Sequence, residues 1–249
     1  MLDPTLNFGL DIGIETPFLL LILVGLEAVL SADNAVALAA IAQGIDNPKD
    51  QRRALNIGLV LAYVLRVTLI FTATWVIQFW QFDVLGGAYL LWLTYNYFSS
   101  SSDEEEGDRR FHFASLWQAI PMIAITDLAF SLDSVTAAIA IVDNTWLVIA
   151  GGTIGVITLR FLAGLFLRWL EIYSHLEDAA FITVGFVGLR LIVKVINPAL
   201  VPPEWVTIAI VVCMFVWGFS EKKQPSPSLD RPMKEATETL EIREKQKQN

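Results

Sequence analysis

The sequence predicts an all-α polytopic membrane protein of about seven transmembrane helices, arranged as two inverted three-helix repeats plus a C-terminal helix. Three observations lead there. Of the 249 residues, 55% are hydrophobic and only 17% charged, where a soluble domain carries about 25% charged residues. The charges are clumped into 47–53, 103–110 and the stretch after Ser220, and the apolar runs between them are long enough for a hydrocarbon core, which takes roughly 20 helical residues. Finally, one pattern is written twice, one hundred residues apart: Glu27-x-x-x-Ser31-x-Asp33-Asn34 and Asp127-x-x-x-Ser131-x-Asp133-Ser134.

Residues 1–16 form a short polar lead. Asp3, Asp11 and Glu15 stand in it without a Lys or Arg. A secretory signal needs a basic start, so none is expected and the first span stays in the mature chain. Repeat 1 covers 17–98. Pro17 opens its first span, which runs to about Gln43; Asn47-Pro48 marks a turn; the second span covers roughly 54–79 and contains Arg66; a short third span covers 84–98 and ends in Tyr95, Tyr97 and Phe98, as an aromatic belt would.

Residues 99–114 form an acidic linker whose Ser run and Asp103–Glu106 cluster bury nothing. Repeat 2 covers 115–197: a span at about 115–142 with Pro121 in its first half, a second at 146–171 containing Arg160, and a third at 178–196. A Pro-rich break leads to a seventh helix at 204–219, and residues 220–249 read as a polar, largely disordered tail.

Basic residues fix the orientation. Lys49, Arg52, Arg53, Arg109, Arg110, Arg168 and the lysines of the tail fall on one side, which is the cytoplasmic one by the positive-inside rule. The N-terminus is then outside and the C-terminus inside. Arg190 and Lys194, in the last turns of the sixth span, are the exceptions. The formal net charge of −9 resides mostly in loops and tail, and no basic stripe offers a nucleic-acid partner. A single cysteine, Cys213, excludes an intrachain disulfide and a thiolate cluster.

The duplication extends past the motif, since Gly58 and Arg66 recur with the same spacing as Gly152 and Arg160. Three spans per copy is an odd number, so the second copy enters the membrane upside down. Inverted repeats mark transporters, whose substrate site lies near the midplane. Acids in apolar spans are costly, about 2.5–3.5 kcal/mol each on the lenient insertion scale. Acids repeated at matching positions are expected to be used.

On a helix, Glu27, Ser31 and Asn34 share a face, as do Asp127, Ser131 and Ser134, while Asp33 and Asp133 fall about 120° away. Either the helix unwinds near the serine, or the second acid turns to another neighbour, for which the mid-span Arg66 and Arg160 are the candidates. The donors are carboxylate, amide and hydroxyl oxygens, which suit hard dications such as Mg²⁺, Ca²⁺ and Mn²⁺. The candidate metal-binding set is Glu27, Ser31, Asp33, Asn34, Asp127, Ser131, Asp133 and Ser134, with Arg66 and Arg160 balancing charge. The bland alternative is a structural network of acids paired with the two arginines. His175, beside Glu171, Glu177 and Asp178, reads as part of an interface loop.

The two motif copies and the two span arginines resemble the TerC family of integral membrane proteins, over roughly residues 17–219. The family's name links it to tellurium resistance, and the resemblance implies manganese export in bacteria, with thylakoid relatives tied to photosystem assembly. It implies Mn²⁺ as cargo, with Ca²⁺ second, and Glu27, Asp33, Asn34, Asp127 and Asp133 as ligands. Asp127 stands where the first copy has Glu27, and Ser134 where it has Asn34, so the site need not be symmetric. The expectation is therefore a metal-exporting transporter, not an enzyme, with no fixed cofactor, in a bacterial inner membrane or a thylakoid. Its partners are a divalent cation and the lipid bilayer. The rival is an assembly factor that docks other membrane proteins through the acidic loop and tail; deleting 230–249 disables that function and spares transport. An intramembrane aspartyl protease lacks its Gly-x-Gly-Asp sequence here.

Overall fold

The computed structural model of the protein describes residues 31–99, 113, 115–142 and 144–223. The lead, residues 17–30 with Glu27, most of the acidic linker and residues 224–249 lie outside the described residues. Within them the chain is helical: α1 over residues 31–43, α2 Pro48–Val76, α3 Gln81–Ser99, α4 Leu116–Ile141, α5 Thr145–Ile172, α6 Leu176–Ile196 and α7 Glu204–Gly218, with a 3₁₀ turn at Pro198–Leu200.

Local chemistry sets the ends. Asn47 caps α2 by accepting the Lys49 amide at 3.0 Å, and Pro48 occupies the first turn, where its missing N–H costs nothing. Asn144 caps α5 in the same way, through the Trp146 amide at 3.0 Å. The side-chain amide of Gln51 reaches the Ile45 carbonyl at 2.7 Å, closing the turn between α1 and α2. The Phe113 amide adds a bond to the Gly44 carbonyl at 2.9 Å.

Helices α2, α4, α5 and α6 are each long and apolar enough to cross a membrane. Their outward faces carry exposed Val60, Val64, Phe71, Ile157 and Phe161, which only lipid would welcome. Trp75, Trp80, Trp117, Trp146 and Trp205 are exposed near helix ends, where a bilayer places its aromatic belts. The chain is a multi-pass integral membrane protein. Helix α7, with 15 residues, reaches about 22 Å, short of the roughly 30 Å core.

The centre of the bundle is α1. Ala35, Ala37, Leu38, Ala39, Ala40, Ile41 and Ala42 have no exposure on any side, as expected for a helix apolar all round. Its alanines let neighbours approach closely, and small residues do the same elsewhere. Helix α2 packs on α4 and α5, α3 on α6 and α4, and α6 on α7. A Cβ at Gly58 would stand 2.7 Å from the Ile123 side chain, so α2 and α4 meet there with no room for one. Gly87 and Gly188 bring α3 and α6 together backbone to backbone: a Cβ on either would lie 2.8–2.9 Å from the other's carbonyl oxygen.

The start of the polar tail departs from the sequence expectation. Residues 221–223 fold back on the turn between α5 and α6. Tyr173 and Lys222 form an antiparallel bridge, the Lys223 amide donates to the Ile172 carbonyl at 2.7 Å, and the Ser174 amide donates to Glu221 at 3.1 Å. His175 stacks on Trp217 and meets the Glu221 carboxylate at 3.0 Å. The reason is local: this turn offers an edge of backbone donors and acceptors together with an aromatic face for Lys222.

Candidate functional site

Helix α4 carries the second motif copy and runs unbroken from Leu116 to Ile141. Pro121 lies early enough that the motif behind it keeps regular geometry, so unwinding does not bring the two acids of this copy together. They face different neighbours instead.

Asp127 has no exposure at all. Its two oxygens lie 3.4 Å from Arg66 Nη2, which reaches across from α2. Charged pairs of this type normally close to about 2.7–2.9 Å, so the carboxylate is balanced without being clamped. Ser131 donates its hydroxyl to the Asp127 carbonyl at 2.7 Å and sits 3.4 Å from one carboxylate oxygen. Arg66 is 2% exposed. Its stem passes Gly152 of α5, where a Cβ would still keep an ordinary 3.7 Å from Arg66 Cδ. The Tyr89 hydroxyl, from α3, pairs with Thr126 at 2.9 Å, packing a third helix against the same turn of α4.

Asp133, six residues on, is only half-buried and turns toward α6. Arg190 pairs with one of its oxygens, and Lys194 Nζ lies 3.0 Å from the other. Lys194 also reaches Asp83 of α3 at 3.8 Å. The expectation that Arg66 or Arg160 serves the second acid is therefore corrected. The turn of about 120° that separates the acids on one helix points Asp133 at α6, while Arg66 takes the first acid. Arg160 pairs with Asn56 on a groove between α2 and α5 that none of the described motif acids lines. The Ser134 hydroxyl is turned back to the Ser131 carbonyl at 3.4 Å.

In the first copy, Ser31, Asp33 and Asn34 are all buried at the described start of α1. Asp33 accepts the Asn34 amide at 3.0 Å, and the Arg190 charge attracts it. Arg190 pairs with the second acid of the second copy, and its buried Nε has no hydrogen-bond partner among the described residues. Glu27 lies outside the described residues. Among those residues no group of three or more His, Cys, Asp and Glu side chains stands close enough to hold a metal.

Arg190 and Lys194 are the charged residues at the candidate site that the repeat does not point to. The signal was present: two basic residues four apart, on one face of an apolar span, demand acidic partners at their own depth.

The fold and the charges paired in its interior define a multi-pass helical membrane protein. The sequence profile of the integral membrane protein TerC family matches residues 13–224, and the chain belongs to that family. It is 35% identical to the uncharacterized membrane protein YceF of Bacillus subtilis, over 68% of each chain. With YkoY of the same organism it shares 30% identity over 72% of this chain and 60% of the relative. It is also 23% identical to the thylakoid membrane protein TERC of Arabidopsis thaliana, over 67% of this chain and 51% of the relative. No solved structure is similar to it.

Proposed function

We propose that the chain transports a hard divalent cation across its membrane by alternating access, in the export direction, with Mn²⁺ as the first candidate and Ca²⁺ as the second. Asp127 carries the reading. It is a carboxylate without exposure, in the interior of an unbroken span, facing its cationic partner at 3.4 Å. An ionisable group at such a position is expensive and marks an ion pathway by default. The loose pairing leaves lone pairs for a second cation, and the surrounding donors are hard oxygens suited to Mn²⁺, Ca²⁺ or Mg²⁺.

In this reading Glu27, Asp33, Asp127 and Asp133 bind the ion, with Ser31, Asn34, Ser131 and Ser134 completing the shell. Arg66 balances charge when the ion leaves, and Arg160 has the matching duty in the other half. The three described acids do not form one cluster, so the loaded site requires the halves to close on the ion. The repeats would be inverted, with the N-terminus outside and the C-terminus cytoplasmic. Neither catalysis nor a resident cofactor belongs to this reading.

Flux of Mn²⁺, Ca²⁺ and Mg²⁺ into vesicles reconstituted with the full chain tests it. Wild type is expected to move at least one of these ions, and Asp127→Asn, Asp33→Asn and Asp133→Asn are each expected to abolish the movement. Equal flux in the variants and in wild type removes the site.

A further inference from the structure

The proposed cargo site is met by two side-chain cations from a single helix, and their placement suggests what they do. Arg190 and Lys194 project from the same face of α6, and together they occupy both oxygens of Asp133. Lys194 Nζ stands between two acids from different helices, 3.0 Å from Asp133 of α4 and 3.8 Å from Asp83 of α3. All three side chains are about equally exposed, at 30% for Lys194, 27% for Asp133 and 25% for Asp83. The two acids repel each other, so the ammonium between them is held from both sides.

We propose that Lys194 is a tethered stand-in for the transported dication, held by Asp133 in the empty protein and handed to Asp83 when the ion arrives. This rests on the transport reading above. A dication on Asp133 would meet two cations already there, the Arg190 guanidinium on one oxygen and the Lys194 ammonium 3.0 Å from the other, and their mutual repulsion drives off the one that has another partner within reach. The lysine has somewhere to go, because Asp83 is already near and needs only a small swing of a flexible four-carbon stem. There is also space for the swing. Asp83, Thr136 and Lys194 line a cavity of about 110 Å³ with Phe82 and Leu132, which holds several waters at the roughly 30 Å³ that each takes up in the liquid.

The charges reverse across the exchange. In this structure Asp83 and Asp133 meet Lys194 and Arg190. With a dication between Asp33 and Asp133, Lys194 and Asp83 become a self-contained pair, and Arg190 is left as one positive charge in excess, which favours release of the ion. On release, Lys194 returns to Asp133 and prevents recapture. Lys194 is accordingly a positioning residue that sets affinity against release, and Asp83 is its resting place.

The two variants Lys194→Gln and Asp83→Asn separate this device from a plain structural tie, because they act in opposite directions. Full-length protein is reconstituted in vesicles for Mn²⁺ flux, and Mn²⁺ binding is measured in detergent on the same preparations. Lys194→Gln removes the competitor: Mn²⁺ binds more tightly, KM falls roughly five- to ten-fold, a usual size for coupling between sites, and kcat falls with it because release is slowed. Asp83→Asn removes the resting place, so Lys194 stays on Asp133 and KM rises by a similar factor. Lys194→Arg restores values close to wild type. A shift in the same direction in both variants, or no shift in either when both elute as folded protein, overturns the proposal. If Lys194→Gln does not fold, a fall or no change in KM for Asp83→Asn overturns it alone. If wild type neither binds nor moves Mn²⁺, the transport reading itself fails, and this inference with it.

Discussion

Arg66 and Arg160 stand at matching positions of the two sequence copies, eight residues after matching glycines, yet they live in different surroundings. Arg66 is 2% exposed and faces the carboxylate of Asp127 across the α2–α4 contact. Arg160 is half-exposed and pairs with the amide of Asn56 on the α2–α5 groove. The glycines differ in the same sense. Gly58 is pressed against Ile123 with no space for a Cβ, while Gly152 has ordinary clearance. Among the described residues, the repeated pattern thus preserves residue types without preserving their surroundings: Arg66 lies in a packed helix contact, and Arg160 lies partly exposed beside Asn56 on the α2–α5 groove.

The largest test of this contrast is Arg66→Leu. Removing one member of a buried ion pair leaves the other charge uncompensated and costs about 3–5 kcal/mol. The expected result is severe loss of folded protein in thermal or denaturant unfolding in detergent. Combining it with Asp127→Leu removes both charges, and much of the stability is expected to return. If the double variant is as unstable as Arg66→Leu, the cost lies in lost packing of the arginine stem and not in the stranded carboxylate.

Next in size is the glycine pair. Gly58→Ala places a Cβ 2.7 Å from Ile123 Cγ2 and 3.0 Å from its Cβ. A β-branched side chain on a helix has little freedom to move aside, so a loss of about 1–3 kcal/mol is expected from overpacking. Gly152→Ala meets nothing closer than 3.7 Å, and it replaces glycine in a helix interior with the best helix former, worth up to about 1 kcal/mol. It is expected to be neutral or stabilising. Equal losses in the two would erase the distinction between the halves.

The span pattern was legible from the sequence because it rests on quantities the chain displays directly. Clumped charges, apolar runs, Asn-Pro at the α2 start and the Pro-rich break before α7 each have a local physical meaning, and the helices begin and end near them. The site was legible only in part. Spacing alone shows that Asp127 and Asp133 point apart, but it does not say what each one meets, since that depends on which helix packs on which face. Arg66 was picked out as a charge needing an acid, and it faces Asp127 instead of Asp33 or Asp133. Arg190 and Lys194 are visible as charges in an apolar span, yet they have no counterpart in the first copy, so the repeat does not point to them. Asp83 stands in the first turn of α3, and its contact with Lys194 depends on α3 and α6 closing through Gly87 and Gly188.

The smallest effect is expected at Arg160. Its partner among the described residues is a neutral amide, and the side chain is half-exposed on a groove lined by Leu59, Val60, Tyr63 and Phe161. Arg160→Leu gives up a hydrogen bond to a charged group, worth about 1.5–3 kcal/mol net. It also removes the cost of holding an arginine against an apolar and lipid-facing surface, about 2.5–3.5 kcal/mol at mid-depth. The two terms nearly cancel, so unfolding in detergent is expected to shift by less than about 1 kcal/mol, within the usual range for changes outside a packed core. Vesicle flux then separates a passive arginine from a used one. Were the chain to keep such a charge for packing alone, Arg160→Leu would move ions as wild type does. A folded variant with lost flux would mean that the groove closes on an acid during the cycle, as the charge-balancing duty proposed for Arg160 requires.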